Sequence, residues 1–209
     1  MIGHTFPTIP VVPYKDARDL LRDGDVLLCS GSGTFSSMIQ AATNSPWSHV
    51  GLIIRLDGLG LVMLLESVEP IGVRTVRLSK YLTDYDGQFN QYPGGMVVLR
   101  HKGFADIVTP VWLKEGTRIA IDQFGRPYDK AAIARIAGRI MASRIPFGPE
   151  QLAKIEQDND FICSEYVGMF FEHLGLPILW NRMGFLAPAD FAEDDNFELV
   201  CVLKPKPIH

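Results

Sequence analysis

The sequence predicts an α+β fold in which an antiparallel β-sheet packs against helices, and three observations carry that expectation. Short apolar runs bounded by turn residues recur along the chain. One pair of them is separated by Asp57-Gly58, a strong hairpin signal. Other stretches carry apolar residues at the three- and four-residue spacing of a helix face.

In order, residues 1–16 read as an extended, proline-containing lead-in, and residues 25–30 as the first strand. Thr34 is placed to cap a short helix bearing Phe35, Met38, Ile39 and Ala42 on one face, closed by Asn44-Ser45-Pro46. Residues 50–55 and 61–68 form the hairpin, and residues 73–78 and 96–100 two further strands. Thr109-Pro110 opens a helix with proline at its first position, and Gly125 closes it.

A helix over 129–143 presents Ile133, Ile136, Ala137, Ile140 and Met141 to the core, with Arg135 and Arg139 on another face. Residues 146–158 read as a polar loop or flap. Asp160 then serves as N-cap of a helix whose buried face is Tyr166, Val167, Phe170, Phe171 and Leu174, ended by Gly175 and Pro177. Residues 197–203 make a final strand. At 209 residues the chain fits one domain, 1–209, with a helical insertion over about 104–158.

Composition excludes several classes. The net charge of −4 leaves no basic footprint for nucleic acid. No apolar run is long enough for a membrane span, and no basic-then-apolar leader opens the chain. Three cysteines in 209 residues fit a reducing, cytoplasmic setting better than a disulfide framework.

Two segments carry the chemistry. Trp47-Ser48-His49-Val50-Gly51 places a histidine at the start of a strand, and Phe161-Ile162-Cys163-Ser164-Glu165 places a cysteine at the start of a helix. A helix N-terminus favours negative charge on a thiol, and a histidine from elsewhere in the chain can serve as its base. Cys29 and Cys201 lie within apolar strands and read as core. His173 is ten residues along the same helix from Cys163, roughly 15 Å away. His4 and His209 are near termini, and His101 ends a strand as a surface residue.

A two-residue loop at Asp57-Gly58 sets His49 directly opposite Glu66 in a non-hydrogen-bonded pair, close enough for a carboxylate to hold the imidazole. A longer loop using Gly60 changes that register, and a one-residue slip separates the two side chains. Glu66 reads equally well as the orienting partner of His49 or as a solvated strand end.

These segments resemble the circularly permuted branch of the NlpC/P60 superfamily, the YiiX/YebB-like papain-like cysteine hydrolases. The match rests on Asp23-Gly24-Asp25-Val26-Leu27, the His49 segment, Glu66 with Gly72-Val73, Gly125-Arg126-Pro127-Tyr128-Asp129, the Cys163 segment and Pro188-Ala189-Asp190. It implies a papain-like fold, with Cys163 as nucleophile, His49 as base and Glu66 as orienting member. It also implies that the Tyr128 hydroxyl faces the site, joining the Cys163 N–H in holding an oxyanion. Ile162 and Glu165 depart from the Asp-Cys-Ser-Gly motif of the non-permuted members.

The expected activity is hydrolysis of an amide in a cell-wall-type peptide or related small molecule, with no cofactor and no metal. Two readings stand beside it. One is an acyl-ester hydrolase or acyltransferase, because relatives of this branch resemble lecithin–retinol acyltransferases. The other is a non-catalytic binding module on the same fold. A metal site built from cysteine, histidine and glutamate is the remaining option, unsupported by any paired ligand spacing.

Overall fold

Six strands form one sheet in the order β4-β3-β2-β1-β5-β6, with every neighbouring pair antiparallel. The computed structural model describes residues 10–128, 162–179 and 185–204. The strands are β1 (Val26–Ser30), β2 (His49–Leu56), β3 (Leu61–Val68), β4 (Gly72–Arg77), β5 (Gly95–His101) and β6 (Phe197–Lys204). The helices are α1 (Tyr14–Ala17), α2 (Thr34–Thr43), α3 (Leu78–Thr83), α4 (Phe104–Ile107), α5 (Pro110–Asp122), α6 (Cys163–His173) and α7 (Pro188–Glu193). The helix expected over 129–143, the loop over 146–158 and Asp160 lie outside the described residues.

β1 is buried along its whole length because both faces of the sheet are covered. On one face Val26, Leu28, Val50, Leu52 and Leu65 pack against Tyr166, Val167, Phe170 and Phe171 of α6. Those four residues are fully buried. Each contributes roughly 1.5–3 kcal/mol of apolar burial, so packing against the sheet holds this helix in place. Leu27, Cys29, Ile53 and Leu64 point to the other face, where Ala17 of α1 and Leu78 and Tyr81 of α3 cover them.

The motif Asp23-Gly24-Asp25 is absorbed by the fold. Asp25 is fully buried and accepts two bonds from the Arg100 guanidinium, at 2.7 and 2.8 Å, tying β1 to β5. Asp23 accepts from the backbone N–H of Arg55 at 2.6 Å.

Several expectations change in detail. Residues 14–17 are helical rather than extended, and Gly33, not Thr34, is the N-cap of α2. The fourth strand stops at Arg77, and Leu78 begins α3. Ile162, not Asp160, is the N-cap of α6, so Cys163 is its first residue. His101 is 8% exposed, packed edge-on against Phe197, and is no surface residue. The Thr109 cap and the proline at the start of α5 are as expected, the Thr109 hydroxyl accepting from the Trp112 N–H.

The hairpin matters most. Its loop is not Asp57-Gly58 alone: Asp57–Leu59 form a 3-10 turn and Gly60 follows with φ +62°, a conformation glycine adopts without strain. Leu56 therefore pairs with Leu61, and Leu52 with Leu65. Continued along the strands, this register puts Glu66 opposite Gly51 and diagonal to His49. A shift of two residues keeps every side chain on its original face, whereas a shift of one reverses it.

The chain after α5 is pinned to the start of β4. Val73 N–H donates to the Arg126 carbonyl at 2.9 Å, and Gly125 N–H to the Val73 carbonyl at 3.0 Å. Gly72 has φ +91°, and a Cβ there would lie 2.0 Å from the Arg126 carbonyl oxygen. Gly72→Ala is expected to lower stability by at least about 1–3 kcal/mol through this overlap. Thermal denaturation tests it, and a melting temperature equal to that of the parent protein would contradict the close approach.

Candidate functional site

Glu66 sits in the middle of β3 with no solvent exposure. Burying a carboxylate is tolerated only where partners replace its water. Oε1 accepts from Arg74, whose Nε is 3.0 Å away and whose Nη2 is 2.9 Å away. Oε2 accepts from the Tyr81 hydroxyl and meets His49 Nε2 at 2.8 Å. Arg74 reaches it as the direct cross-strand partner of Glu66 on β4, and Tyr81 from α3.

His49 begins β2 at the end of the sheet and is 14% exposed. Its imidazole is bonded to Glu66, and the thiol of Cys163 is its other titrating neighbour. Since Nε2 faces Glu66, Nδ1 is the nitrogen left for the thiol. Burial by itself opposes a charged imidazole. The interactions with Cys163 and Glu66 outweigh it and push the pKa up to about 10. For Glu66, burial favours the neutral acid, but the His49 bond, the Arg74 charge and the Tyr81 hydroxyl together hold the carboxyl below its ordinary range.

Cys163 is delivered by the local structure of α6. The Glu165 carboxylate accepts from the Ile162 N–H, closing the first turn, and the Ser164 hydroxyl donates to the Leu186 carbonyl at 2.5 Å. The polar neighbours of Cys163 therefore fix the helix start. As the first helical residue, Cys163 presents an N–H that has no intrahelical acceptor.

Tyr128 packs with Ile162, Phe185, Ala187 and Ala189 and meets Phe35 edge-on at 5.9 Å. It is thus next to the N-cap of the cysteine helix. Cys29 pairs with His49 across β1 and β2, fully buried, and burial pushes its thiol pKa well up. Cys201 is buried in β6. All three cysteines are buried; Cys163 lies on the α6-covered face of the sheet and comes together with His49 and Glu66, while Cys29 and Cys201 pack in the layer on the other face.

Arg74 and Tyr81 are the residues that sequence reasoning passed over. Arg74 was open to detection, since the short turn between β3 and β4 sets it opposite Glu66. A cavity of about 470 Å³ lined by Ile54, Leu56, Leu113 and Ile121 opens at the far end of β2 and shares no residue with this cluster.

No family model matches the sequence, and no curated protein matches it. Among solved structures, the chain is similar to the metalloprotein YiiX from Escherichia coli O157:H7. The TM-score is 0.59 at 18% identity, over 89% of this chain and 98% of that one. The fold is YiiX-like.

Among the described residues, no group of three or more His, Cys, Asp or Glu is placed to hold a metal ion. The donor set around Glu66 also fits a metal poorly. The two carboxylate oxygens are occupied by four donor atoms, two of them from the Arg74 guanidinium cation. No helix among the described residues is long and apolar enough to cross a membrane.

A raised imidazole pKa has a definite sign in stability. Native His49 binds its proton more tightly than the unfolded chain does, so its stabilisation is complete below about pH 6.5 and is lost as pH rises through about 10. The difference in unfolding free energy between the parent and His49→Gln is expected to shrink across that window. Denaturant titrations at several pH values test this, and a difference that grew with pH would contradict the paired imidazolium.

Proposed function

We propose that this protein is a cysteine hydrolase of the permuted papain-like type, cleaving an amide bond in a cell-wall-type peptide or related small amide. Cys163 is the nucleophile, His49 the acid–base and Glu66 its orienting partner. The observation that carries the reading is that a single imidazole is bonded to a buried carboxylate and is electrostatically coupled to a helix-start thiol. On this reading the whole chain is a single domain in which residues 104–158 form the insertion.

The mechanism follows from where each group sits. The Cys163 proton resides on His49 Nδ1, giving the paired imidazolium, and the sulfur attacks the substrate carbonyl. The oxyanion forms beside the Cys163 N–H, with Tyr128 as a second donor from the neighbouring cluster. His49 then gives its proton to the departing amine as the C–N bond breaks, leaving a thioester on Cys163. Water, deprotonated by the same imidazole, attacks the thioester, the C–S bond breaks, and the carboxylic acid leaves with the Cys163 sulfur again paired to the protonated His49. Glu66 keeps Nε2 protonated throughout, so Nδ1 is always the nitrogen that exchanges a proton.

The test is covalent labelling with a peptidyl and a long-chain acyl electrophile, followed by peptide mass spectrometry. Cys163 is expected to label, faster with the peptidyl probe, and to lose that reactivity in His49→Ala. Preferential labelling of Cys29 or Cys201 would remove Cys163 as nucleophile. Faster reaction with the acyl probe would move the substrate class to acyl esters.

With a substrate in hand, Glu66→Gln is expected to lower kcat by a factor on the order of 10²–10⁴, as a wrongly held imidazole does elsewhere. Tyr128→Phe is expected to lower it by less than about 10²–10³, because the backbone donor remains. Full turnover in Glu66→Gln would contradict its orienting role.

A further inference from the structure

We propose that Arg74 and Tyr81 are positioning residues that fix the direction of the proton between His49 and Glu66, and so leave His49 Nδ1 free to act on Cys163. The inference rests on the hydrolase reading only for its consequence; the proton's direction follows from the geometry.

A carboxylate offers about four lone-pair directions and no proton to give. Around Glu66 four donors occupy them: two nitrogens of Arg74 on Oε1, and Tyr81 with His49 on Oε2. The bond at 2.8 Å between His49 and Oε2 has two possible senses. In one, an imidazole Nε2–H donates to a carboxylate. In the other, a protonated carboxyl donates to a bare Nε2, and the ring proton moves to Nδ1. The second arrangement would leave Cys163 facing an N–H instead of a base.

Arg74 decides between them. A guanidinium cannot give up its charge, and its forked contact on Oε1 strongly favours the ionised acid. Tyr81 acts on the other oxygen. Its hydroxyl is fully buried, stacked on Tyr92 at 5.3 Å and edge-on to Tyr85 at 4.9 Å. That packing holds the phenol in place, and burial beside Glu66 keeps it protonated and therefore a donor. A proton on Oε2 would have to share that oxygen with it.

The other groups near the pair do not replace these two. Cys163 on α6 approaches the imidazole rather than the carboxylate, Cys29 on β1 is a buried thiol, and Tyr85 and Tyr92 carry no charge. Arg74 is the sole permanent cation bonded to Glu66 among the described residues.

The experiment follows the His49 Nε2–H proton by NMR near neutral pH, with amide spectra confirming the fold. Removing either donor lowers the preference for the ionised acid. In Arg74→Gln, and to a smaller extent in Tyr81→Phe, the proton is expected to pass to Glu66, so that the Nε2–H resonance weakens and the Nε2 nitrogen moves towards the unprotonated position, while Arg74→Lys, which keeps the charge, is expected to retain it. Where Arg74→Gln does not fold, Tyr81→Phe, which removes one oxygen atom, decides.

An Nε2–H resonance and Nε2 nitrogen unchanged in folded Tyr81→Phe and Arg74→Gln would overturn the proposal. So would a loss of Nε2–H in Arg74→Lys equal to that in Arg74→Gln. The labelling rate of Cys163 is read separately in the same variants. A displaced proton with no reactive Cys163 in the parent protein would retain the positioning role and reject the hydrolase.

Discussion

The burial of Glu66 is the constraint on which the rest of this structure turns. A carboxylate without solvent in the middle of a sheet is sustainable only if each oxygen is satisfied by donors, at least one of them charged. Three separate elements meet that demand. β4 contributes Arg74 through direct strand pairing, α3 contributes Tyr81, and the start of β2 contributes His49. The β3–β4 turn, the docking of α3 and the β2–β3 register must all be correct together for the network to close.

That dependence explains how much of the site was legible in the sequence. Cys163, His49 and Glu66 stood out because each is a polar residue where an apolar element begins or runs. Their face was also readable, since the alternation of a strand has period two and a hairpin preserves it. The exact register was not readable. Asp57-Gly58-Leu59-Gly60 contains two competing turn signals, and the 3-10 turn of Asp57–Leu59 closed by Gly60 wins. The contact with His49 survives because the displacement is an even number of residues, which a glutamate side chain spans on the diagonal.

The remainder of the network was harder to see for two different reasons. Arg74 is an ordinary alternating charge in Gly72-Val73-Arg74-Thr75-Val76-Arg77 until its partner is known to be buried. Tyr81 acts from a short helix with no capping signal, which the apolar run into Leu78 disguises as the end of a strand. The polar residues beside Cys163 misled in the opposite direction. Ser164 and Glu165 look like an exposed, reactive setting, yet they are spent on the Leu186 carbonyl and the Ile162 N–H.

The charges of the cluster complete the argument. Glu66 and Arg74 neutralise one another across two strands, so Glu66 is not obliged to find its whole counter-charge in His49. Moving a proton from the Cys163 thiol to His49 then creates one positive and one negative group side by side, and the buried network as a whole stays neutral. A low-dielectric site resists net charge far more than it resists a close pair of opposite charges. With Glu66 alone behind it, the imidazole would hold its proton still more tightly than it does. Sharing the carboxylate with Arg74 and Tyr81 weakens that hold, which is the condition an acid–base group must meet to give back in one step the proton it accepted in another.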